Sequence, residues 1–101
     1  LKTNIISISN SLDLVLKLRG VTFDWTDKDK FDNKNHVGFI AQEVEEVLPQ
    51  VVGKHGDKLT VDYAPVTAVL VEAIKEQQAQ IDALKLQNEE LLKRIELIEN
   101  K

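Results

Sequence analysis

LVEAIKEQQAQIDALKLQNEELLKRIELI, residues 70–98, carries an apolar or amide residue every third or fourth position without interruption. With Thr67, Ile74, Ile81, Asn88 and Ile95 at a, the residues Leu70, Gln77, Leu84, Leu91 and Ile98 fall at d, which is about four heptads of a coiled coil. Neither Gly nor Pro follows Pro65, and Ala, Glu, Gln, Lys and Leu dominate, so helix propensity agrees with the pattern. A helix from Val66 to Asn100 is about 50 Å long at roughly 1.5 Å per residue, too long to lie against a small globular body. Its seam is therefore expected to meet other helices. Ile at a with Leu at d, and a lone Asn88 at a, suit two strands, whereas Ile95 and Ile98 together suit three or more. Arg94 at g and Glu99 at e resemble a trimer signature, in which the arginine stem covers the seam and its head pairs with a glutamate of the next helix. The expectation is three parallel strands, with Leu70, Ile74, Gln77, Ile81, Leu84, Asn88, Leu91, Arg94, Ile95, Ile98 and Glu99 at the interface.

Working outward, the chain has 101 residues, which suits one small globular part over 1–65 followed by a helix over 66–101. Some 65 residues are close to the lower limit for a self-sufficient core, so the globular part is expected to lean on its neighbours. A net charge of −4 argues against nucleic acid or an anionic membrane as partner, since both demand a basic face. With no Cys there are no disulfides and no thiolate metal sites, and neither a metal nor a cofactor is expected. No apolar run reaches the length of a membrane span. The first residue is Leu and not Met, which leads us to expect a piece of a longer polypeptide.

From the start, Ile5, Ile6 and Ile8 predict a strand reaching a core. A helix capped by Asn10 or Ser11 should follow, with Leu12, Val15, Leu16 and Leu18 on one side and Gly20 as its stop. Val21, Phe23 and Trp25 alternate with polar residues, the period of a half-buried strand with an aromatic core face. Phe23, Trp25 and Phe39 are expected in one buried cluster. The polar run Asp27 to Asn35 predicts a surface loop, and its spacing fails the calcium-loop pattern at Phe31, Asp32 and Gly38. A short helix from about Ile40 to Leu48 turns Ile40, Val44, Val47 and Leu48 inward. Val51 and Val52 then pair with Leu59, Thr60 and Val61 across a Gly53 to Asp57 turn. The fold class is α+β.

Five blocks in this order carry a resemblance: Lys2 to Ile5, Leu18 to Trp25, Gly38 to Val44, Val61-Asp62-Tyr63 and Glu72 to Gln77. Together they resemble the C-terminal intramolecular chaperone domain of phage tailspikes and tail fibres, the chaperone-of-endosialidase family. The resemblance implies a homotrimer that registers three identical upstream fibre polypeptides during virion assembly in the host cytoplasm and is then released by autoproteolysis. It implies a serine nucleophile and, five residues later, a lysine as general base. Lys2 matches that lysine; the serine, with the aspartate and arginine of the family pattern, would precede position 1. A lysine acts as base only when burial or a nearby cation lowers its pKa towards about 7 to 8, and the family arginine is one candidate for that cation. His36, Gln42 and Glu43 are candidates for supporting the site or meeting a neighbour. Two other readings fit the same residues, a trimerisation module without cleavage and a self-cleaving trimerisation domain on a membrane-bound transcription regulator.

Overall fold

Two faces of one helix organise the molecule. In the computed structural model, which describes residues 1–27 and 34–101, helix α3 runs over Tyr63–Glu99. Its 37 residues give a rod of about 55 Å at 1.5 Å per residue, and the whole molecule measures 74 × 39 × 20 Å. Val66, Val69 and Ala73 are buried, with Glu76 half-buried on the same line, so the first turns of α3 pack on their own domain. Leu70, Ile74, Ile81, Leu84, Leu91, Ile95 and Ile98 lie on a separate line and are exposed, Ile74 at 63%. At about 100° per residue, Leu70 and Ile74 stand a little more than a quarter of a turn from Val69 and Ala73.

Before α3 come α1 (Ser11–Lys17), β1 (Val21–Phe23), β2 (His36–Gly38), α2 (Ala41–Val47), a 3-10 turn at Pro49–Val51, β3 (Val52–His55) and β4 (Lys58–Val61). The architecture is mixed α+β, a small two-ribbon body followed by a long C-terminal helix. β1 and β2 are antiparallel, with Val21 opposite Gly38 and Phe23 opposite His36. β3 and β4 form a hairpin with Val52 opposite Val61 and His55 opposite Lys58. Only Gly56 and Asp57 connect these strands; Gly56 at φ +65° supplies the positive φ that a two-residue hairpin turn needs at its first position. The turn is thus tighter than the Gly53 to Asp57 expectation, because Gly53 and Lys54 pair within β3.

The core is aliphatic. Val44, Leu48, Val51, Val66 and Val69 form its centre, and Leu14, Val15, Leu18, Phe39, Val47, Val52 and Val61 pack around them. α2 reads as expected from its spacing, with Val44 and Leu48 buried. Three expectations are corrected. Ile5, Ile6 and Ile8 form no strand and reach no core; Ile5 and Ile6 are 83% and 85% exposed, and the segment pairs with neither two-stranded sheet. Leu16 points outward at 72% exposure, and α1 stops at Lys17 because Leu18 turns extended (φ −81°, ψ 149°) to enter the core before Gly20 is reached. Trp25 lies beyond β1 and is exposed, so the aromatic residues line a surface and do not form a buried cluster. Of the expected polar loop Asp27 to Asn35, residues 28–33 lie outside the described residues. Among the described residues no helix is long and apolar enough to cross a membrane.

Candidate functional site

Four contacts join distant segments of the chain. The first fixes α1. The Ser11 and Leu12 N–H groups donate to the Glu76 carboxylate at 2.9 and 3.2 Å, across 65 and 64 residues. Asn10, at a left-handed φ of 57°, makes no side-chain cap, so a residue of α3 satisfies the helix start that Asn10 or Ser11 was expected to cap. The second contact joins α1's exit to α2. Arg19 donates to Glu43 from Nε at 3.0 Å and from Nη2 at 2.6 Å, a forked pair on the surface. These bonds hold the Glu43 carboxyl below the usual carboxylate range and raise Arg19 above its ordinary value.

The third contact sets β2 against the start of α3. A Cβ on Gly38 would come within 2.6 Å of the Tyr63 hydroxyl and 3.2 Å of Phe23, so this buried position admits no side chain without displacement. The Phe39 N–H points to the Tyr63 hydroxyl oxygen at 3.4 Å, and the two rings stack with centroids 5.8 Å apart. The fourth is aromatic: His36 stacks on Phe23 at 5.5 Å and meets Trp25 edge-on at 6.1 Å, while Phe23 and Trp25 pack edge to face at 5.2 Å.

A groove of about 560 Å³ is lined by residues 23–26, 39–42 and 59–61 together with Tyr63, among them the aromatic rings of the last two contacts. Of the sequence candidates, Gln42 lines the groove, His36 packs against its Phe23 wall, and Glu43 on the same helix turn is engaged by Arg19. Lys2 lies apart, in the exposed stretch before α1, and is not part of the lining. The seam candidates Gln77, Asn88, Arg94 and Glu99 are exposed along α3 with the aliphatic seam residues. Tyr63, Arg19 and Glu76 were not singled out by sequence reasoning, although each falls in a block that carries the resemblance. Those blocks are in physical contact: Arg19 reaches from the second to Glu43 in the third, Tyr63 of the fourth touches Gly38 of the third, and Glu76 of the fifth holds α1.

The profile of the family described as chaperone of endosialidase matches residues 1–53. The long tail fiber protein Gp37 of Enterobacteria phage M1 is 37% identical over 92 residues, covering 84% of this chain and 37% of the phage protein. The same protein of Enterobacteria phage Ox2 matches equally, and that of Enterobacteria phage K3 is 36% identical over 90 residues, 83% of this chain and 7% of its own length. This chain thus corresponds to little more than a third of the shorter relatives and a small part of the longer one. A profile match over more than half of the chain, together with relatives of this identity across most of it, places the chain in the chaperone-of-endosialidase family.

Proposed function

We propose that this chain is the intramolecular chaperone of a phage tail fibre, which joins three copies of itself in parallel through α3 and so sets the register of the fibre polypeptides upstream. The observation that carries this reading is the division of labour on α3: Val66, Val69 and Ala73 are used by the chain's own domain, while the aliphatic line from Leu70 to Ile98 stays exposed beside it. Covering each such side chain is worth on the order of 1–2 kcal/mol, given how much of it is already exposed. Three chain ends held together have a high effective concentration for one another, which lowers the loop-closure cost of intertwined β-structure. Arg94 and Glu99 select three strands by pairing across neighbouring helices over the seam. The work is done in the host cytoplasm during virion assembly. In the longer polypeptide, a serine five residues before Lys2 is the nucleophile and Lys2 its general base, and cleavage there releases the chaperone. The phage reading is favoured over a transcription regulator because the tail-fibre similarity spans most of the chain. Sedimentation equilibrium of the purified chain is expected to give three chains. A monomer at micromolar concentration would overturn the proposal.

A further inference from the structure

A strand-forming segment without a strand to pair with and a groove lined in part by residues of two short ribbons occur in the same chain. Ile5-Ile6-Ser7-Ile8-Ser9 has the β-branched composition of a strand, yet it pairs with no strand among the described residues. Left-handed residues at Asn4 (φ 54°) and Asn10 (φ 57°) bracket it; as a strand, its five residues would span about 17 Å. Among the described residues β1 pairs with β2 alone and β4 with β3 alone, so each ribbon has an edge that an incoming strand can take. Two-stranded ribbons are marginal by themselves and gain most from a third strand. Charge also matches. Asp24 carries the formal charge in the lining and Asp62 sits between Val61 and Tyr63, while Lys2 is the charged residue of positions 1–9.

We propose that, in the assembled protein, Ile5–Ser9 of one copy docks as an added strand in the aromatic groove of a neighbouring copy. This rests on the multi-chain reading above. Ile6 and Ile8, which share one face of the added strand and are exposed in their own chain, are then covered by the neighbour's Phe39, Leu59 and Tyr63, and Lys2 is carried towards the groove that Asp24 lines. The segment that holds Lys2 is thereby ordered by assembly and not by the folding of one chain.

The chain has no cysteine, so introduced thiols report contacts without background. Ile6→Cys and Thr60→Cys chains, both altered at surface positions, are unfolded together, refolded as a mixture and treated with a short bis-maleimide. The mixed cross-linked pair is expected to exceed a control pair of Ile6→Cys with Asn100→Cys by about tenfold, as docking raises the local thiol concentration. A yield no higher than the control overturns docking, and so does a double variant that gives only internally linked monomer, which would place the segment in its own groove. Sedimentation of the same samples separates the two proposals: three chains without the cross-link sink the docking alone, whereas a monomer sinks both.

Discussion

The carboxylate of Glu76 does for α1 what its own N-terminal residues do not, accepting two N–H groups that a seven-residue helix would otherwise leave unpaired at a buried start. Glu76→Ala is expected to cost about 1–2 kcal/mol, read by chemical denaturation at fixed chain concentration, because both the cap and the tie between α1 and α3 go. Nothing local to Asn10 or Glu76 announces this bond, since the partners are 65 residues apart and Glu76 sits in a run that reads as a solvated helix face. The Arg19–Glu43 pair was equally illegible for the same reason, whereas Val44 and Leu48 were legible because their spacing alone fixes one face of α2. The sign of the ion pair's pH dependence follows from its direction. Glu43 has a lowered folded value, so its stabilisation is complete above the range in which the unfolded carboxyl titrates and fades as pH falls through the folded value. Both partners are on the surface, so the effect is small. Glu43→Gln should therefore melt slightly below the parent at neutral pH, with the two melting curves converging in acid.

At the scale of elements, the hairpin and α2 followed from alternation and helical spacing, and the long helix from its heptads. The isoleucines of the first segment misled because composition reports strand propensity but not whether the segment comes to lie along an edge. The first turns of α3 belong to the globular core through Val66, Val69 and Ala73. A fragment of residues 1–65 lacks these side chains and is expected to lose cooperative unfolding, while residues 1–78 should retain more of it; calorimetry of the two fragments decides. Concentration-independent, cooperative melting of 1–65 would contradict the account. Further along α3, Asn88 is a polar residue on an aliphatic line. Asn88→Ile is expected to raise the melting temperature and to broaden the distribution of assembly states in sedimentation, since a polar a residue exchanges stability for register.

For the whole molecule, an elongated body of 74 × 39 × 20 Å with an exposed apolar line along its rod suits assembly about that rod. In the longer polypeptide, Lys2→Ala is expected to leave a folded, uncleaved assembly, because Lys2 is exposed and no core contact depends on it. Gel electrophoresis compares cleavage with the parent, and thermal unfolding checks that the fold survives; cleavage at the parental rate would rule out the Ser-Lys mechanism here. The tie between Ser11 and Glu76 has another consequence, for the order in which the chain is made. Translation delivers α1 to the ribosome exit well before α3, and at about 5–20 residues per second the intervening stretch takes several seconds to appear. During that interval α1 has no cap, and Val44, Leu48 and Val51 lack Val66 and Val69 to pack on. A polypeptide terminated before residue 76 lacks the acceptor for the Ser11 and Leu12 N–H groups, so a prematurely stopped chain is expected to carry α1 untied and to be marked by it for proteolysis.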